Sequence, residues 1–177
     1  MTEPAPPPET RLWTPSGFRD DEWSHSEEFD APGSNGKLIL PLSAFLEIPA
    51  DERLRDRDRI GVLLAPADPV EAIADVLDQV ALVALSFPAF NDGRSFSKAE
   101  LLRSRYGYAG PIRATGQVLV DQLPHMLRVG FDEFEVSHPV LIERLEKGET
   151  GGIGLYYQPT STSSDTTSGY SWRRLRD

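Results

Sequence analysis

The chain of 177 residues contains no cysteine. That absence excludes a disulfide framework, a thiolate nucleophile, cysteine-held zinc and iron–sulfur ligation by this chain, so any redox chemistry would have to be borrowed. No apolar run approaches the roughly 20 residues that span a bilayer, and the N-terminus shows no basic stretch followed by an apolar core. No membrane partner and a cytoplasmic location are therefore expected. Positive charge is scarce as well: 18 Lys and Arg stand against 28 Asp and Glu, a net charge of −10. Binding to a phosphate backbone needs clustered cations, so no nucleic-acid partner is expected either. His25, His125 and His138 are too scattered for metal-ligand spacing, and neither a metal nor a cofactor is expected. Established catalytic motifs are missing too. Gly151-Gly-Ile-Gly precedes a predicted strand instead of joining a strand to a helix, and there is no P-loop and no nucleophile elbow.

With 39% hydrophobic residues the chain can bury one compact core, flanked by tails. Residues 1–36 are rich in Pro, Glu, Asp and Ser and carry a net charge of −6. Such a segment buries too little apolar area to offset its ordering entropy alone. Its four aromatics, Trp13, Phe18, Trp23 and Phe29, point to an extended arm partly docked on the domain or on a partner. Residues 160–177 form a Ser/Thr-rich tail, which leaves an α/β domain at 37–159.

Within that domain Lys37 to Leu42 reads as a strand, and the Leu54 to Arg59 stretch as a charged connection. Ile60 to Leu64 reads as a buried strand. Val70, Ile73, Ala74 and Leu77 then fall on one face of an amphipathic helix after an Asp68-Pro69 start. Val80 to Leu85 is a second buried strand, and Ser97-Lys-Ala-Glu100 is a capping box for a helix that stops before Gly107. Pro111 to Ala114 is a strand, followed by a helix N-capped by Asp121 with Pro124 in its first turn and Gly130 at its end. Glu133 to Val136, a helix over Pro139 to Lys147 and a strand over Gly152 to Tyr157 complete the pattern. Repeated βα units with short connections predict a mostly parallel sheet, either open or curled like half a barrel. A half-barrel would leave an edge to cover, which favours a homodimer.

In such sheets ligands bind at the carboxyl ends of the strands, which directs attention to two polar loops. The first carries Asn91, Asp92 and Arg94; the second carries Gln117, Asp121 and Gln122, with His125 one helical turn further on. Between residues 92 and 128 the charge is +3, a basic island in an acidic protein. Arg94 with helix N-terminal amides suits a small anion, and Asp92 can orient it or act as a base. The same Asp-Gly segment is also an ordinary turn signal. An Asp121/His125 pair has the chemistry for acid–base work, or lies on the surface with Asp121 as a cap.

The segments Ser86-Phe-Pro-Ala-Phe-Asn-Asp-Gly-Arg-Ser-Phe-Ser, Ala99-Glu-Leu-Leu-Arg-Ser-Arg-Tyr-Gly, Ile112-Arg-Ala-Thr-Gly-Gln-Val-Leu-Val-Asp-Gln-Leu and Gly130-Phe-Asp-Glu-Phe-Glu resemble the bacterial "domain of unknown function 934" family over residues 37–158. Members are similar to proteins encoded beside genes of assimilatory sulfite and sulfate reduction and are described as oxidoreductases of sulfite reduction. The resemblance implies a role in that pathway, with sulfite reductase or another sulfur-assimilation enzyme as partner. Relatives often carry a bulky or aromatic residue where Pro124 stands and a Cys where Val129 stands, so a thiol there is not required. Sulfite reductases hold their cluster through cysteine and sulfonucleotide reductases attack with one. A chain without cysteine can be neither, so if it serves that pathway it is expected to be an accessory: an electron-transfer or assembly partner, a docking factor on a reductase, or an enzyme on a pathway metabolite that binds a small molecule.

Overall fold

The computed structural model describes residues 10–29, 36–89 and 91–151. They build one eight-stranded sheet in the order β2-β1-β8-β7-β6-β5-β4-β3. The strands are β1 (Arg11–Thr14), β2 (Gly17–Arg19), β3 (Trp23–His25), β4 (Lys37–Pro41), β5 (Ile60–Leu64), β6 (Leu82–Phe87), β7 (Ile112–Gly116) and β8 (Glu133–Val136). Strands β3 to β8 pair in parallel, whereas the β1–β2 hairpin joins β8 antiparallel. The helices are α1 (Leu42–Glu47), α2 (Ala50–Arg55), α3 (Arg94–Ser104), α4 (Leu123–Val129) and α5 (Pro139–Glu146).

Several boundaries differ from those expected, each for a local reason. Residues 11–14, 17–19 and 23–25 are strands of the sheet itself, so the sheet draws on chain well before residue 37. The Leu54 to Arg59 stretch is helical, split between α2 and a 3₁₀ turn at Arg57–Arg59. The amphipathic segment Val70–Gln79 buries Val70 and Ile73 as its pattern requires, but it is wound as 3₁₀ helix with a break at Val76. The Ser97 capping box is not used: α3 starts at Arg94 behind Gly93, which places Ser97 inside the helix. Asp121 is not an N-cap, because Gln122 holds that position with no side-chain cap and Pro124 sits in the first turn. The strand expected over 152–157 lies outside the described residues.

Alternation along the strands sorts side chains onto two faces. The face under the helices is apolar: Leu40, Val62, Leu64, Leu85, Phe87, Ala114 and Phe134 pack with Phe45, Ile73, Leu102, Met126 and Leu141. The opposite face splits. Its β3 to β6 side is a small apolar patch of Ile39, Leu82 and Ala84 with Trp23 and Leu63. Gly61 lies beneath the Trp23 ring, and a Cβ there would stand 3.1 Å from it. Its β7 to β8 side is charged, with Arg113, Glu133 and Glu135.

The sheet is curled, as one distance demonstrates. Strands β8 and β3 are five strand spacings apart in the sheet order. In a flat sheet that is about 24 Å at ~4.8 Å per spacing. Yet His25 Nε2 on β3 lies 2.8 Å from Glu135 Oε1 on β8. Only a strongly curled, half-barrel-like sheet brings them together, with the charged face on the inside. Among the described residues, no helix is long and apolar enough to cross a membrane.

Candidate functional site

The two predicted loops lie at the carboxyl ends of β6 and β7, and the structure divides their residues between two places. At the end of β6, Asp92 grips Arg94 with both oxygens, accepting from Nε at 2.9 Å and from Nη2 at 2.7 Å. It also accepts from the Arg94 amide at 3.3 Å, which closes the turn into α3. The Arg94 side chain is 61% exposed and its Nη1 makes no hydrogen bond among the described residues. This charge-assisted bond holds the Asp92 carboxyl below its ordinary pKa, although burial opposes it. Asp92 therefore orients Arg94 and is a poor base. Asn91 is exposed beside it. Gln117 is exposed too, its amide donating to the Phe87 carbonyl at 2.7 Å.

One turn further along α3, the same side of the helix presents a group that the loop motif does not announce. Lys98 is only 7% exposed and donates to the carbonyl of Ala65, in the loop after β5. Burial pulls its pKa below the ordinary lysine value, and the Asp68 and Asp92 charges offset this only in part. The loop itself is tied, since Asp68 accepts from the Ala65 amide at 2.8 Å. Ser95 anchors the start of α3 by donating to the Ser86 carbonyl at 2.7 Å. Arg94 and Lys98, at i and i+4, are thus two cations at the carboxyl edge of the sheet, one presented to solvent and one desolvated.

Asp121 and His125 stand elsewhere. Both line a cleft of about 430 Å³ together with Val120, Pro124, Arg128, Arg144 and Gly151. No hydrogen bond joins the two among the described residues. The His125 ring instead stacks on Phe96, with centroids 4.8 Å apart. Burial, with the Arg128 charge adding to it, holds His125 below its ordinary pKa. Gln122 is half-buried at the N-terminus of α4. A larger cleft of about 620 Å³, lined by Arg57, Asp75, Asp78 and Tyr108 among others, lies at the amino ends of β5 to β7. In βα sheets that end carries stability and not ligands.

The cluster that sequence reasoning missed is the charged inner face. Arg113 is fully buried and donates to Asp21 (2.8 and 3.0 Å), Glu133 (2.9 Å) and Glu135 (3.2 Å). Thr115 donates to Glu135 at 2.6 Å. Burial alone would raise the pKa of Glu135, but the bonds from His25 and Thr115, with the Arg113 charge, outweigh it and hold the carboxyl low. The same bond to Glu135 raises the pKa of His25. A signal existed: Ile112-Arg-Ala-Thr and Glu133-Phe-Glu-Val both alternate apolar with polar, with opposite charges on adjacent strands. Asp21 and His25 gave no such signal, because their partners lie about a hundred residues away.

A curled, mostly parallel α/β sheet with an ionic inner face and two cations at its carboxyl edge defines the class of protein. A family model described as "Bacterial protein of unknown function (DUF934)" matches residues 61–167. The chain belongs to this family. No curated protein matches it.

Proposed function

We propose that this protein is an accessory of assimilatory sulfite or sulfate reduction that binds a small oxyanion at the carboxyl ends of β5 and β6. The observation that carries the reading is the desolvated Lys98 ammonium, held between two strand-end loops with Arg94 one turn away. An ammonium has three donors, and a bound oxyanion would take those that a single carbonyl leaves. Low local dielectric strengthens that attraction, and Asp92 fixes the guanidinium in advance so that little side-chain entropy is lost on binding. The pathway comes from the family resemblance, and the accessory role from the missing cysteine. A thermal-shift series of the full chain with sulfite, sulfate and phosphate tests the reading, because a ligand that binds only the folded state raises Tm. A rise with one of the three that shrinks in Arg94→Ala supports it; no rise with any of them rejects it.

Docking on a reductase is the second reading. It is favoured by Leu46 and Leu54, about half exposed on the neighbouring helices α1 and α2. A stoichiometric complex with purified sulfite reductase, lost in a Leu46→Glu, Leu54→Glu double variant, would support it; co-elution that the double variant retains, or none at all, would reject it.

A further inference from the structure

We propose that the seam between β3 and β8 is a proton-controlled latch: protonated His25 holds residues 20–25 as a strap across the charged inner face, and loss of that proton loosens the strap and opens the face to solutes. The latch lies away from Lys98 and does not depend on the oxyanion reading. Among the described residues no backbone ladder joins β3 to β8, because β3 ends the sheet while β8 pairs with β7 and β1. Side chains bridge the gap instead. His25 Nε2 meets Glu135 Oε1 at 2.8 Å, and Asp21, two residues before β3, accepts from both Nη atoms of Arg113 at 2.8 and 3.0 Å. Asp21 Oδ1 also accepts from the Trp23 amide at 3.1 Å, which ties that pair to the start of β3.

Charge sets when the latch holds. Asp21, Glu133 and Glu135 face one guanidinium, Arg113, so the inner face is left with surplus negative charge while His25 is neutral. A proton on His25 supplies a second cation and makes its bond to Glu135 charge-assisted, roughly twice as strong as a neutral one. The imidazole is 44% exposed and exchanges protons with bulk water, whereas Glu135 is held by the cluster beneath it. The bond to Glu135 favours the protonated ring most; burial and the Arg113 charge oppose it, the Asp21 charge supports it, and the pKa is raised. The other charges beside the strap, Glu22 and Lys37, pair with each other at 2.6 Å, outside the bonds of the latch. The latch therefore holds below the folded pKa of His25 and loosens as pH rises through it.

The chain has no cysteine, so two introduced thiols take spin labels at chosen places alone. Ser24, on β3, and His138, just past β8, are both exposed. Double electron–electron resonance on the full chain labelled at Ser24→Cys and His138→Cys reads the width of the seam at about pH 5.5 and about pH 8.5, on either side of the ordinary histidine value. The proposal expects a longer and broader distance distribution at the higher pH. Adding His25→Gln, which keeps an N–H donor but never carries a charge, should give that longer distribution at both pH values. Adding His125→Gln should leave the pH response intact. Identical distributions at the two pH values with His25 present overturn the proposal, as does a pH response that survives in His25→Gln or vanishes in His125→Gln. Failure here leaves the Lys98 reading standing, because that reading concerns different residues.

Discussion

Replacing Arg113 by Met keeps most of the side-chain volume and removes the cation bonded to Asp21, Glu133 and Glu135 at once. The consequence differs among the three carboxylates. Asp21 and Glu133 are 30% and 21% exposed and can recover water. Glu135, at 10%, cannot, and among the described residues it keeps His25 and Thr115. Removing one partner of a buried ion pair costs about 3–5 kcal/mol. The rehydration of two carboxylates places this case near the lower bound, ~3 kcal/mol. For a domain of this size that is a fall in Tm of about 6–12 °C. Urea unfolding of wild type and Arg113→Met measures it directly. The penalty arises from an uncompensated charge, so it should shrink as pH falls and Glu135 takes up a proton, and Arg113→Met/Glu135→Gln should recover part of it. A loss below about 1 kcal/mol, or one that does not change with pH, would refute the reasoning.

Three further outcomes follow from the same structure. The NMR midpoint of His25 should lie above its ordinary 6.5 and drop in Glu135→Gln; equal midpoints in the two proteins would show that the contact does not persist in solution. Because the folded pKa is raised, this contact stabilises fully below about 6.5 and fades as pH rises through the folded value. Glu135 works in the opposite sense, stabilising above about 4.3 and failing as pH falls through its lowered value, so a stability profile should be highest between the two. Gly116 has φ +94, and a Cβ there would stand 2.5 Å from the Phe87 carbonyl oxygen, so Gly116→Ala should cost at least ~2 kcal/mol in thermal unfolding; a cost under ~0.5 kcal/mol would be inconsistent with that approach.

Much of the sheet was legible because its signals are local. Ile60 to Leu64 and Glu133 to Val136 are strands within the predicted bounds, since an apolar run or a period of two declares itself within a few residues. Gly107, Gly130 and Gly148 all take positive φ where helices were expected to stop. Helix starts were less legible. Ser97 and Asp121 have the chemistry of caps, yet the tight turn closed by Asp92 starts α3 earlier, and Pro124 fits α4 without a side-chain cap. The N-terminal strands were illegible for another reason. Each is three or four residues long, and pairing with β8 and β4 fixes them, which no short window of sequence contains. The candidate site divided in the same way: Asp92 and Arg94 were found from a loop motif, whereas Lys98 lies within a helical pattern and becomes distinctive only where α3 carries it under the loop after β5.

An oxyanion site built on Lys98 is tested most directly by calorimetric titration of sulfite and sulfate into the wild-type chain and Lys98→Met. The wild type should bind one anion per chain, with affinity falling about tenfold or more in the methionine variant while its fold is retained. Absence of binding to the wild type, or equal affinity in the two proteins, would contradict it.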